Sequence, residues 1–475
     1  MRCLAGLEWG ADVLSLKRIY VSLIRSRLEY GSIAYGSASK SVLSELDKVQ
    51  AEALRICIGG VRTSPVCALQ VETGEMPLRL RRRQLMANYW LSLKDHGENH
   101  PTKQVVQECW ERGVAQDGSF GWIGGVVARD MGVENKEFCP AILWPSVPIW
   151  LLNIPKVDLE IWEEKRRNKN SDLKTEYHNH IDNRYREHLL IFTDGSKDPV
   201  AETTGAAVVV QGMNVELYKR TNNYLTVYTV ELYAILMAVR WMEQMQPCKV
   251  LICSDSLSAI QSIGSGASHR RPDLVYEILL LLSQVTRRGS DVTLLWVPAH
   301  IGVLGNEKVD KLAKEAVKKR NIDVNLQLSK SEGKHIVWKK INQEWQQYWE
   351  QETKGRRLYS LQNRVGITAR RGGNRREQVV LTRLRIGHTH LNSTLKILGK
   401  HPTGLREECH QPETVEHALI ACRRYETERG LMIIEMRKIG LTDISVKNIL
   451  ECGGKGKGIK LLFDFLRASG LIKRI

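Results

Sequence analysis

Four acidic residues of this 475-residue chain occupy positions where the side chains of a folded sheet could meet. Asp194 follows the apolar run HLLIFT, a predicted strand that ends in a turn at Gly195-Ser196, and Asp255 follows a second predicted strand, KVLICS. Glu231 lies on the apolar face of a predicted helix, where a carboxylate is costly unless a cation compensates it. Asp310 lies in a later predicted helix. We therefore expect the four carboxylates to converge.

Converging carboxylates are suited to divalent cations. Mg²⁺ prefers oxygen ligands and is usually held by a few carboxylates plus the phosphate oxygens of a substrate. Two such ions about 3.5–4 Å apart can activate a water and stabilise the leaving oxygen of a phosphoryl displacement. Acids without ions would repel one another, so the cluster implies metals. Taken singly, Asp194 could instead form a turn and Asp255 could cap a helix.

The elements that would position these residues alternate between strand and helix patterns. Apolar runs predict strands at 188–193, 206–211, 215–219, 249–254 and 291–297, and amphipathic spacing predicts helices at 226–244, 273–287 and 306–319. This order predicts an α/β fold in which helices pack on a mixed five-stranded sheet.

Several motifs in this region resemble a known family. FTDGSK (192–197), TVELYAILMAVRWM (229–242), SDSLSAIQSI (254–263) and WVPAHIGVLGNEKVDKLAKEA (296–316) resemble the type 1 ribonuclease H domain, above all that of non-LTR retrotransposon polyproteins. The resemblance covers residues 186–320. It implies a ribonuclease H-like fold and hydrolysis of the RNA strand of RNA:DNA hybrids with two Mg²⁺ ions, or Mn²⁺.

The resemblance also implies roles for individual residues. The positions that match the family's metal-binding carboxylates are Asp194, Glu231, Asp255 and Asp310. His300 matches the family's mobile histidine, a proton shuttle or an aid to product release. Alone, His300 could equally be a solvated loop residue.

The flanks resemble other parts of the same polyproteins. Residues 1–95 resemble the helical region that follows the polymerase palm, whose motif we do not find, so we expect a fragment without polymerase activity of its own. The remaining divisions are a linker at 96–185, a helical connector at 321–365, a degenerate zinc-knuckle-like region at 366–430 and a helical tail at 431–475.

The knuckle-like region carries a candidate zinc site. Cys409, His417 and Cys422 match three of the four ligands of the family pattern, but Arg406 stands where the first cysteine would be. The site is incomplete unless His410 or a distant group substitutes. The alternative is a helical hairpin in which these cysteine and histidine side chains are packing residues.

The charge of the chain indicates a polyanionic partner. The net charge is +17 and the pI about 9.4. Residues 186–320 contribute little of this excess positive charge, because they contain sixteen Lys and Arg and fourteen Asp and Glu. Nucleic acid is therefore the expected partner, with its backbone bound by the basic flanks. The arginine clusters expected to contact phosphate are Arg79, Arg81, Arg82 and Arg83, and Arg370, Arg371, Arg375 and Arg376.

Compartment and membrane association are read from composition. The ten cysteines are dispersed and the first residues contain no apolar targeting segment, which favours an intracellular, reduced protein, nuclear or cytoplasmic. No run reaches the roughly 18 apolar residues of a spanning helix, so no membrane is expected.

Two alternatives remain at this point. An integrase or transposase of the DDE type would share the sheet, but it would lack a glutamate on the first long helix and the VPAHIG loop, both of which are present. A non-catalytic nucleic-acid-binding remnant of a retroelement is the other, favoured by the incomplete knuckle and the missing palm.

Overall fold

The chain forms two compact units. The computed structural model describes residues 1–94, 96, 100–111, 120–140, 145–168, 172–368, 372–451 and 456–475. The first unit comprises Met1–Ala87, Val114–Val127 and Trp338–Ile475, and the second comprises Asn88–Gly113 and Ala128–Val337.

The second unit is built on a six-stranded sheet. Its strands are β1 (Lys156–Asp158), β2 (Leu189–Lys197), β3 (Thr204–Val210), β4 (Val215–Thr221), β5 (Lys249–Ser254) and β6 (Asp291–Trp296). The order is β1-β6-β5-β2-β3-β4; the first four of these are parallel to one another, and β2, β3 and β4 pair antiparallel. The predicted α/β fold with a mixed sheet is confirmed.

Helices cover the sheet, and their apolar faces supply the core. The helices that follow β1 are α1 (Glu160–Arg167), α2 (Leu173–Arg184), α3 (Val227–Met245), α4 (Leu257–Gly264), α5 (Pro272–Arg287) and α6 (Leu304–Lys318). Most of α3 is buried, and it begins where the Thr226 hydroxyl accepts a hydrogen bond from the amide of Thr229. The helix that carries Glu231 is therefore fixed against the sheet.

The sixth strand comes from the segment expected to be a linker. Residues 96–185, interpreted from the sequence as a linker with local packing, contain β1, α1 and α2 in addition to the helices Pro101–Glu111 and Phe120–Asp130. Val157 of β1 pairs with Leu294 of β6, and Tyr177 of α2 is buried in the core of the sheet unit. The prediction of five strands is thus one strand short, because a three-residue strand is too brief to give an alternating pattern.

The first unit is helical, as predicted for the termini. The helices that lie wholly or partly in it are Val13–Ile19, Ser26–Glu29, Ser32–Tyr35, Lys40–Ile58, Val66–Thr73, Leu78–Lys94, Phe120–Asp130, Lys330–Gln351, Arg356–Leu361, Arg375–Ile386, Asn392–Ile397, Glu426–Lys438, Val446–Glu451 and Gly456–Ala468. Within the described residues, no helix is apolar over a stretch long enough to cross a bilayer.

Several clustered arginines of this unit are engaged within the protein. Arg81 donates to Glu29 at 2.7 Å, and Arg83 pairs with Glu344. Arg375 is buried and donates to backbone carbonyls, one of them that of Cys57, at 2.6 Å. Because these three arginines are engaged by groups of the protein itself, their expected contacts to phosphate are not supported. Their partners lie far away in sequence and could not be foreseen. Arg370 and Arg371 lie outside the described residues.

Candidate functional site

Asp194 lies inside a strand instead of at its end. Strand β2 continues through Asp194 and Gly195 to Lys197, and Asp194 pairs with Ala207 of β3. The predicted turn after Asp194 is therefore wrong, because the antiparallel partner extends the strand past the apolar run that marked it. The Asp194 side chain is 8% exposed.

Gly195 allows the helix α3 to approach β2 closely. A Cβ atom at Gly195 would lie 2.6 Å from the amide nitrogen of Glu231 and 2.8 Å from the carbonyl carbon of Val230. Only glycine leaves room for the backbone of the helix at this distance. The approach brings Glu231, which is 4% exposed, next to Asp194.

Three carboxylates converge where β2, β5 and α3 meet. Asp255 is the first residue after β5, and each of Asp194, Glu231 and Asp255 offers an oxygen within 4.8 Å of the others. Among the described residues, Oε2 of Glu231 is buried without a hydrogen-bond partner. An all-oxygen donor set with an unsatisfied buried oxygen fits a hard divalent cation.

Asp310 lies beside this group but is engaged by a lysine. Burial is the largest cause of the raised pKa of Asp194 and of Asp255, and the negative charge of Asp310 adds to the rise in both, which places its carboxylate near the other two. Its Oδ2 accepts a hydrogen bond from Nζ of Lys314, one turn further along α6, at 2.7 Å. Lys314 was missed in the sequence, where its spacing of four residues from Asp310 was the available signal.

His300 lies in the loop between β6 and α6. It is exposed and adopts a φ of +58°, an uncommon backbone conformation for a residue other than glycine. Burial and then the charge of Asp310 raise the pKa of Asp255, and His300 opposes this rise, which places its imidazole near the carboxylate cluster. Its role in proton transfer or product release stays a prediction.

Burial and mutual repulsion make these acids hard to ionise. Burial, followed by the charges of Asp255 and Asp310, raises the pKa of Asp194 to about 7. Burial and the charges of Asp194 and Asp255 raise the pKa of Glu231 well above its usual range. In the metal-free protein these groups therefore retain protons at a pH where ordinary carboxylates are ionised.

The raised pKa of Asp194 predicts that the stability of the protein depends on pH. Because the pKa of Asp194 is raised on folding, its stabilising contribution is fully present below its ordinary pKa of 3.8 and is lost as the pH rises through about 7. We expect the Tm of the metal-free protein to fall between pH 5 and pH 8, and to fall less in Asp194→Asn, which cannot ionise there. Thermal unfolding at several pH values in chelator tests this, and identical pH slopes for both proteins would contradict it.

A second cluster lies in the first unit. Sγ of Cys409 lies 3.1 Å from Nε2 of His417, and Cys422 completes a group whose ligand atoms lie within 4.8 Å of one another. Burial lowers the pKa of His417, which leaves its imidazole in the neutral form that binds metals. The guanidinium of Arg406, at the position of the missing fourth ligand, pairs with the buried carboxylate of Glu413. Zinc binding by these three residues stays a prediction.

Two comparisons bear on the sheet unit. A family model described as RNase H matches residues 186–318, a range that contains the four carboxylates and His300. A ribonuclease H of Pseudomonas fluorescens (strain Pf0-1) is 30% identical over 144 residues, which cover 27% of this chain and 88% of that protein.

Proposed function

Because this chain belongs to the ribonuclease H family through residues 186–318, we propose that it hydrolyses the RNA strand of RNA:DNA hybrids. The observation that carries the proposal is the convergence of Asp194, Glu231 and Asp255, whose oxygens lie within 4.8 Å of one another. Paired carboxylates at this distance are costly unless they serve cations.

We assign the binding of two Mg²⁺ or Mn²⁺ ions to Asp194, Glu231, Asp255 and Asp310. When bound, such ions supply a water of lowered pKa and stabilise the charge that develops on the leaving oxygen. The four carboxylates would hold these ions, and the carboxylates of Asp194, Glu231 and Asp255 are positioned for this by β2, α3 and the end of β5. His300, on its exposed loop, is suited to transfer a proton at the leaving oxygen or to assist product release.

The proposed substrate is recognised through its backbone and shape. The 2′-OH groups distinguish the strand to be cut, so sequence preference should be weak. The basic residues outside 186–320 support additional contacts to phosphate. The motifs and flanks also support an origin in a non-LTR retrotransposon polyprotein.

A cleavage assay tests the function. The full chain is incubated with a hybrid labelled on the RNA strand, in Mg²⁺ and in chelator, beside single-stranded RNA and duplex DNA of the same sequence. We expect metal-dependent cutting of the RNA in the hybrid alone. Retention of the hybrid without cutting would favour the non-catalytic binding remnant.

Lys314 should weaken metal binding at Asp310, because its ammonium occupies the carboxylate that an ion would use. We expect Lys314→Ala to bind Mg²⁺ about twofold more tightly, the factor that such an (i, i+4) ion pair is worth. Isothermal titration calorimetry without nucleic acid measures this. Lys311→Ala is the matched control, since Lys311 is exposed on the same helix; equal affinities in both variants would exclude the competition.

A further inference from the structure

A polar pocket lies in the first unit, remote in sequence from the carboxylate cluster. Its floor is the loop between the helices Lys40–Ile58 and Val66–Thr73, where Gly59 ends the first helix at a φ of +64°. The amide of Ser64 donates to the carbonyl of Val61 at 2.9 Å, which folds the loop back toward the start of the second helix. The pocket has a volume of about 660 Å³, and Tyr348, Glu352, Lys354, Gly355 and His388 complete its walls.

Cationic side chains dominate the lining. Arg62 and Lys354 are exposed at the pocket, and their side chains have no ion-pair partner among the described residues. The lining includes one carboxylate, Glu352. Its Oε1 accepts hydrogen bonds from the backbone amides of Thr353 and Lys354 at 3.0 and 3.2 Å. The three cationic side chains of the lining, Arg55, Arg62 and Lys354, outnumber this carboxylate, so the pocket keeps a net positive charge.

The start of the helix Val66–Thr73 adds uncompensated donors. The amides of its first turn, beginning with Val66 and Cys67, have no carbonyl four residues earlier in the helix to accept them. Pro65 precedes the helix and supplies no side-chain cap, and the first turn contains no acidic residue. A helix terminus of this kind favours an anion.

Ser64 supplies a further sign of a missing ligand. Its side chain is 4% exposed and lines the pocket, yet its hydroxyl has no hydrogen-bond partner among the described residues. A buried hydroxyl is normally paired. An oxygen-rich ligand in the pocket would pair it.

Two further groups face the same space. Nη1 of Arg55 donates to Glu52 at 2.7 Å, while its Nε is buried without a partner among the described residues. Nδ1 of His388 lies 2.9 Å from the hydroxyl of Thr63, and burial lowers the pKa of His388, so the imidazole is neutral near pH 7. Arg55 thus retains a donor for the ligand, and His388 adds no charge.

We propose that this pocket binds a phosphate of nucleic acid, held by Arg62, Lys354, the hydroxyl of Ser64 and the first amides of the helix Val66–Thr73. A tetrahedral dianion or diester accepts hydrogen bonds from all of these donors at once. The basic composition of the flanks favours nucleic acid as its source over a free anion. The proposal is independent of the ribonuclease assignment.

The first test uses inorganic phosphate and the full chain. Phosphate should raise the Tm of the wild type with increasing concentration. Ser64→Ala, which removes an unpaired hydroxyl and so should fold at least as stably, should lose much of this shift. A shift that is equal in both proteins, or absent from the wild type, overturns the site.

The second test identifies the source of the phosphate. Binding of single-stranded DNA, which the proposed ribonuclease does not cut, is measured at several salt concentrations. The double variant Arg62→Ala/Lys354→Ala should bind more weakly, with a slope of log affinity against log salt reduced by about 0.7 per lost phosphate contact. The control is Arg437→Ala, which removes an exposed arginine elsewhere in the same unit.

Comparison of 5′-phosphorylated and unphosphorylated strands separates the modes. If the wild type binds the phosphorylated strand more tightly, the pocket takes a terminal phosphate. If the wild type binds both strands equally and the double variant binds both equally more weakly, the pocket takes a backbone phosphate. If both strands bind the double variant as they bind the wild type while inorganic phosphate still raises the Tm, the pocket takes a free anion and the nucleic-acid assignment is overturned.

Discussion

Asp194→Asn should reduce cleavage of the RNA strand by roughly a thousandfold or more, while binding of the hybrid stays close to wild type. The substitution keeps the size of the side chain and removes the negative charge that attracts the ions, whose contribution to phosphoryl transfer is worth several kcal/mol. Because Asp194 is buried beside Glu231 and Asp255, removing its charge also relieves repulsion, so the fold should not suffer. Single-turnover cleavage and anisotropy with the same labelled hybrid measure the two quantities.

The matched control is Asp291→Asn, the same change at an exposed residue that starts β6. This variant should cut normally, since the residue lies at the opposite end of its strand from the segment leading to His300. Normal turnover in Asp194→Asn would remove Asp194 from the metal site. Loss of hybrid binding together with cutting would instead assign Asp194 to substrate recognition.

Gly195→Ala should strongly reduce the proposed cleavage activity without replacing any proposed metal ligand. The added methyl would lie 2.6 Å from the amide nitrogen of Glu231, so α3 must move away from β2. A backbone yields less readily than a side chain, and overpacking of this kind costs about 1–3 kcal/mol. Displacement of Glu231 by about 1 Å should cost on the order of a hundredfold in turnover. Denaturant unfolding and cleavage measured on the same preparations test both effects.

Gly430→Ala serves as the control for the glycine substitution. Gly430 lies within the helix Glu426–Lys438, and a Cβ there would meet nothing within 4 Å. This variant should be as stable as the wild type or slightly more so, since alanine is the better helix former. Wild-type activity in Gly195→Ala would show that the close approach of α3 is not needed for the site.

The sequence was informative where local pattern and tertiary environment agree. The apolar runs of β2, β5 and β6 are long and buried. The helix α3 carries Glu231 on an apolar face, where burial of a carboxylate is costly unless a cation compensates its charge. The convergence of Asp194, Glu231 and Asp255 could therefore be expected from the order of elements.

Features that depend on contacts distant in sequence could not be read in the same way. The extension of β2 past Asp194 depends on pairing with β3, and the pairing of Arg83 with Glu344 joins residues 261 positions apart. A cluster of arginines therefore indicates phosphate binding only when its members do not form ion pairs with acidic residues elsewhere in the fold. Arg62 and Lys354, which are scattered in sequence, meet in the phosphate pocket instead.

Strand β1 has a practical consequence for producing the sheet unit as a separate fragment. The similarity to the ribonuclease H family begins at residue 186, whereas the sheet begins at Lys156. A fragment cut at residue 186 would leave β6 as a bare edge with unpaired amides and carbonyls, a surface that recruits other chains and aggregates. An excised fragment that carries the carboxylate cluster should therefore begin before Leu152, whose buried side chain belongs to the same core.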